Sequence, residues 1–246
     1  STLEENEEDR QSDPSIPRRG LVYMDDSKKD DRVKVAISTG DVDRAKHVST
    51  ILPGMNNVPS EDINDHVKNA ELVHKHAADN AHISQDQVAT IEWMYDTPQG
   101  GQVVSSKYAT KASHEIGSAL EGMHASRHAN GIERAHTSLL GHSYGSTTAG
   151  KVAKLVRKGV LDDLVMYGSP GAGAHDAREY NLDHGKPYVS GIKSDDAVKG
   201  KGTLNSKFGN NPMFMPGVKH LANNSERDRS FFIPWKMFDR HSEYLE

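Results

Sequence analysis

No cysteine occurs among the 246 residues, which removes disulfides, thiolate catalysis, iron–sulfur clusters and every cysteine-based zinc site. A chain without thiols suits an oxidising exterior and survives in the cytosol as well, so a secreted or cell-envelope location is only slightly favoured over a cytoplasmic one. Long apolar runs are missing too. No stretch approaches the ~18–20 residues that span a bilayer, so no transmembrane segment is expected. The first residues lack the basic-then-apolar pattern of a secretory signal, and a chain opening on Ser1 is expected to have lost a leader or an initiator Met. Positive charge is in deficit: Lys and Arg number 30 against 35 Asp and Glu, for a net charge of −5. That balance offers no attraction to phosphate backbones or anionic lipid, and nucleic acid is not an expected partner. Hydrophobic residues make up 35% and aromatics 6%, which is polar for this length. Val, Ile and Leu are nevertheless clustered as in a folding chain, and the length suits one large domain around one core.

What is present falls into two parts. Residues 1–31 form a polar, acidic arm, with Glu4, Glu5, Glu7, Glu8 and Asp9 ahead of Pro14 and Pro17; a flexible terminus is expected there, its end pinned by Leu21, Val22 and Tyr23. Residues 32–246 form the body. Val33, Val35 and Ile37 alternate as a strand, and 48–52 is a short apolar strand ended by Pro53 and Gly54. Pro59 through Asp62 opens a helix with Ile63, Val67, Ala70 and Val73 on one face. Further strands are expected over 88–94, 135–140, 164–167 and 188–192, with helices over 108–130 and 146–158. Phe231, Phe232 and Ile233 suggest a last strand. This rhythm implies an α/β fold with a mostly parallel central sheet and helices on both faces.

Gly141-His142-Ser143-Tyr144-Gly145 is a G-x-S-x-G pentapeptide standing where an apolar strand runs straight into a helix. That is the setting of a nucleophile elbow, a turn so sharp that side chains two residues either side of the serine would collide with strand and helix. A serine nucleophile needs a base and an orienting carboxylate, in this architecture in the order serine, acid, histidine. Asp195 and Asp196 follow a strand at the sheet's ligand-binding end and are both candidates for the acid. For the base, His241 follows the last expected strand and comes after the acid, with His220 as the alternative. The oxyanion requires backbone donors. One is the N–H of Tyr144, and the other comes from Leu52-Pro53-Gly54-Met55-Asn56-Asn57, with Met55 preferred and Gly54 next. The other reading of that loop is a simple turn. Histidine pairs elsewhere lack a third ligand for a metal, and His114-Glu115 lacks the second histidine of a zinc motif.

Taken together, Leu52-Pro53-Gly54-Met55-Asn56, Tyr95-Asp96-Thr97-Pro98, Gly141-His142-Ser143-Tyr144-Gly145-Ser146 and Val165-Met166-Tyr167-Gly168-Ser169-Pro170-Gly171 resemble an actinobacterial α/β-hydrolase family long catalogued as a domain of unknown function. The resemblance runs from about residue 32 onward. It implies an α/β-hydrolase fold and a Ser-His-Asp triad. The family's Asp-Pro-Val-like motif falls on Asp196-Ala197-Val198, with Ala197 in place of proline, and its histidine motif on His241-Ser242-Glu243-Tyr244. Little chain follows His241 to form the helix expected after it.

These readings converge on a serine hydrolase that cleaves small carboxylic esters through an acyl-enzyme and needs no cofactor or metal. A peptidase or amidase with the same triad, and a non-catalytic binding module on the same scaffold, are the alternatives. Acyl-chain length and oligomeric state are left open. The segment 200–221, with Phe208, Met213, Phe214 and Met215, reads either as an apolar lid or as a surface connection packed on the body.

Overall fold

Among the described residues, the alternating pattern builds one eight-stranded sheet. In chain order, the elements of the computed structural model are α1 (Thr2–Ser12), β1 (Arg19–Asp25), β2 (Lys34–Thr39), β3 (His47–Leu52), α2 (Pro59–Ala81), β4 (Val88–Met94), α3 (Lys107–Ala129), β5 (His136–His142), α4 (Tyr144–Leu155), β6 (Asp163–Tyr167), β7 (Pro187–Ser190) and β8 (Lys219–His220). The structure describes residues 1–27, 33–191 and 207–221. The expected strand around Phe231 lies outside them. Strand order is β1-β2-β4-β3-β5-β6-β7-β8. Only the β1–β2 and β2–β4 pairings are antiparallel, so the sheet is mostly parallel as expected.

Strand β4 shows how the two faces are covered. It is buried at every position, as a parallel-sheet strand between two helix layers must be. On one face, Thr90 donates from its hydroxyl to the Ala70 carbonyl of α2 at 3.0 Å. On the other, Ile91 and Trp93 join the main core with Ile116 and Leu120 of α3 and Val152 of α4. Helix α2 turns Val67, Ala70, His74 and Ala78 inward, a stripe at helical spacing that carries a histidine in an apolar position. Burial lowers the pKa of His74, so the ring sits in the core as the neutral form.

The terminal arm is more integrated than a polar tail. Residues 19–25 pair with β2 as the edge strand of the sheet. Tyr23 leans across the small Ala36 to stack on Trp93, the ring centroids 5.1 Å apart. Arg19 ties the strand to α1, donating to the Thr2 carbonyl at 2.8 Å and hydroxyl at 2.6 Å. It also pairs with Glu71 of α2 at 2.7 Å. Asn6 is buried against the chain that follows, bonding the Pro17 carbonyl and the Arg19 amide. Val22 and Tyr23 of β1 pack against the main core, while Leu21 and Met24 are exposed. Among the described residues, no helix is long and apolar enough to cross a membrane.

Candidate active site

Ser143 sits in the turn joining β5 to α4 with φ 51° and ψ −124°. A non-glycine residue there costs ~1–3 kcal/mol, which the surroundings must impose. They do so through backbone bonds. The Ser143 amide donates to the Tyr167 carbonyl at 2.9 Å, and its carbonyl accepts from the Ser146 amide at 3.0 Å. The Ser146 hydroxyl donates to the same carbonyl at 2.6 Å and lies 2.6 Å from Ser169 Oγ, linking the turn to the end of β6.

The two glycines of the pentapeptide are there because no side chain fits. A Cβ on Gly141 would stand 2.6 Å from the Gly145 carbonyl oxygen. On Gly145 it would meet the carbonyl of Leu52 and stand 2.5 Å from that of Pro53. Since the obstacles are backbone, they cannot yield by changing rotamer. Gly145→Ala is therefore expected to destabilise the protein by about 3 kcal/mol and to lower Tm by ~6–12 °C. A thermal melt superimposable on that of the wild type would contradict this packing.

The loop after β3 comes within contact of the serine. A Cβ built on Gly54 would stand 3.0 Å from Ser143 Cβ and 3.4 Å from its Oγ, so the Gly54 backbone is the neighbour of the hydroxyl. Much of this loop's hydrogen-bonding capacity is occupied. Asn57 Nδ2 donates to the Gly54 and Met55 carbonyls, each at 3.0 Å. The Asn56 amide donates to the Pro98 carbonyl at 3.0 Å, and the Asn57 amide to Thr97 Oγ1 at 3.2 Å. Among the described residues, the amides of Gly54, Met55 and Tyr144 have no protein acceptor. The Tyr144 side chain turns away from the serine, its hydroxyl donating to the Ser105 carbonyl at 2.6 Å and accepting from the Ala109 amide at 3.2 Å. Burial pushes its phenol up to about 12, so it remains a neutral donor.

An apolar wall stands beside the turn. Phe208 meets Tyr144 edge-on, with centroids 5.9 Å apart, and Met55, Val103 and Tyr108 pack around them. The backbone of this segment is docked on the body, with Gly173 donating to the Phe208 carbonyl at 2.8 Å and Ala172 to that of Asn210 at 2.9 Å. Around Phe208 the surface-connection reading fits, while Phe214 remains 83% exposed.

The sequence candidates thus divide. Ser143, Gly54, Met55 and Tyr144 are brought together. Asp195, Asp196 and His241 lie outside the described residues. His220 ends β8, exposed and separated from β5 by β6 and β7. Three strand spacings amount to ~14 Å of sheet between the two strands. Asp162, set aside as a connection residue, is buried and structural, accepting from the Thr137 amide at 2.8 Å and from Arg134 at 2.6 Å. Sequence reasoning named Asn57 and Thr97 only within their motifs and gave no role to His66 and Glu92; together the four hold the loop after β3. The available signal was Glu92, an acid inside the apolar run Val88–Met94.

A family model described as alpha/beta hydrolase matches residues 28–206. The chain is similar to the uncharacterized protein Rv0963c of Mycobacterium tuberculosis, 28% identical over 216 residues, 85% of this chain and 79% of that protein. It is also similar to Rv2079 of the same organism, 33% identical over 184 residues, 70% of this chain and 26% of that protein. Among solved structures, an S-formylglutathione hydrolase from Agrobacterium tumefaciens aligns with a TM-score of 0.48 at 13% identity, covering 94% of this chain and 96% of the other.

Proposed function

The chain belongs to the α/β-hydrolase family, and on that premise we propose that it is a serine hydrolase of small carboxylic esters. The observation that carries this reading is the strained Ser143 with the backbone of Gly54 against its hydroxyl and unpaired amides at Gly54, Met55 and Tyr144. A serine held at a backbone cost beside free donors suits attack on a carbonyl, whose oxygen gains charge in the transition state. His241 takes the Ser143 proton as Oγ bonds the acyl carbon, and Asp196 orients the imidazole and stabilises its charged form. The amides of Met55 and Tyr144 hold the oxyanion, with Gly54 as the next donor. Collapse of the tetrahedral species expels the alcohol, which takes the proton from His241. Water then releases the acid by the same route, with no cofactor. The apolar wall of Met55, Tyr108 and Phe208 supports an acyl substituent over a charged one.

The test is labelling by a fluorophosphonate probe, followed by turnover of p-nitrophenyl esters of increasing chain length beside peptide amides. Ser143 is expected to be labelled, and esters to be cleaved in preference to amides. An unlabelled, correctly folded protein would favour a non-catalytic binding module. Preference for amides would favour a peptidase.

A further inference from the structure

Beside the Gly54–Met55 loop lies a polar chain, running from the half-buried Asn57 and His66 to the buried Glu92, that the proposed triad does not use. Asn57 donates both Nδ2 bonds to the Gly54 and Met55 carbonyls, so its Oδ1 must be the atom that accepts from His66, at 2.6 Å from Nε2. The opposite amide orientation would set an oxygen against two carbonyls. Nε2 of His66 therefore carries a proton. The other ring nitrogen, Nδ1, stands 3.0 Å from Oε1 of Glu92, whose side chain is 1% exposed while that of His66 is 18% exposed. Glu92 Oε1 is buried with no aligned hydrogen bond from any described residue, and His66 Nδ1 at 3.0 Å is the donor that faces it. An oxygen buried in this way and facing Nδ1 at 3.0 Å is best satisfied by a proton held between the two.

We propose that Asn57, His66 and Glu92 form a proton-dependent latch that holds the Gly54–Met55 loop in its donor geometry and releases it when the shared proton is lost. The proposal rests on the serine-hydrolase reading above. Its logic is a count of donors. With the shared proton present, Nε2–H faces Asn57 Oδ1 and the amide keeps both loop carbonyls. Once it leaves, the imidazole has a single proton, and the buried carboxylate draws it to Nδ1. Nε2 then presents a lone pair to Oδ1. Asn57 relieves that clash by turning its Nδ2 toward the ring, which sets Oδ1 against the Gly54 and Met55 carbonyls and loosens the loop at those two residues, while the Asn56 and Asn57 amides still hold its far end. All three are positioning residues, since none touches the reacting atoms.

The electrostatics agree in sign. Burial opposes charge on His66, but the Glu92 bond and charge outweigh it, with Asp62 and Asp65 of α2 adding to them, and the His66 pKa is raised. Burial raises that of Glu92. From β6, the buried Tyr167 phenol feels the Glu92 charge, and burial holds its own pKa up so that it stays neutral. Because the His66 value lies above its ordinary 6.5, the latch is closed below that pH and opens as pH rises through the raised value.

The experiment compares pH profiles of kcat/KM for a p-nitrophenyl ester, with fluorophosphonate labelling rates alongside. In the wild type, both rates fall on the alkaline side by up to tenfold per pH unit. Glu92→Gln places an amide donor against Nδ1 and fixes the proton on Nε2 at every pH, so the alkaline limb should move up by at least one pH unit. Asn57→Ala should lower kcat at least tenfold with KM within twofold. A second measurement covers loss of folding in the variants: nitrogen NMR of the wild-type His66 ring should show Nε2–H at neutral pH and titration above 6.5. A Glu92→Gln profile that superimposes on the wild type, an Asn57→Ala that alters KM and spares kcat, or a His66 ring protonated on Nδ1 alone at neutral pH would each overturn the latch while leaving the hydrolase reading intact. A folded wild type with Ser143 unlabelled at every pH overturns both.

Discussion

Replacing Ser143 by alanine is expected to lower ester turnover by ~10⁴–10⁶ while the fold is kept. The turn is held by the backbone of residue 143 and by Ser146 Oγ rather than by the Ser143 side chain, so nothing that positions it is deleted. Tm should stay within about 2 °C, well below the shift that one lost cap or cavity produces. Ser143→Gly makes the complementary case. It is equally inactive, yet it relieves the positive φ and should be more stable than Ser143→Ala by ~1 kcal/mol. On the proposed reading, the hydroxyl is what the backbone cost at residue 143 serves. Undiminished turnover by Ser143→Ala would remove the serine-hydrolase reading altogether.

His241→Ala should reduce kcat by a comparable ~10⁴–10⁶, and the Ser143→Ala, His241→Ala double variant should be no worse than either alone, because nucleophile and base act as a unit. His220→Ala serves as the contrast. From the end of β8 it should leave turnover within about threefold. Asp196→Asn is expected to cost ~10⁴ by setting the wrong imidazole tautomer, whereas Asp195→Asn should not. A large loss at His220 together with a small one at His241 would move the base to β8, and a reversed aspartate pair would exchange the acid. Steady-state kinetics on the purified variants settles each comparison.

The reasons why some elements were legible and others were not are physical. Val35 and Ile37 announced β2 because apolar residues alternate there with small and polar ones, although the strand is buried at every position but Val35. Strand β1 hid because its register with β2 shifts between Leu21 and Tyr23, and a bulge breaks the period of two that identifies a strand. Helix α1 has no apolar face to reveal it, and it begins on a capping box between Ser1 and Glu4, a signal that lies in two polar residues. Strand β8 is too short to show any period. At the site, the pentapeptide disclosed Ser143 because steric demands on glycine are local and therefore written locally. The loop's supports did not show in the same way. Asn57, His66, Glu92 and Thr97 come together only through the crossing of α2 over β4, and sequence spacing does not encode contacts across a sheet.

The contacts that hold the Ser143 turn are almost all between backbone atoms: amide to carbonyl, and glycine against carbonyl. The wall around it is built from side chains, Met55, Tyr108 and Phe208. This is a division of labour on which selection can act one part at a time. On the proposed reading, exchanging a wall residue would change the surface beside Ser143 without disturbing the backbone that sets its hydroxyl, so substrate preference could diverge while the chemistry stayed put.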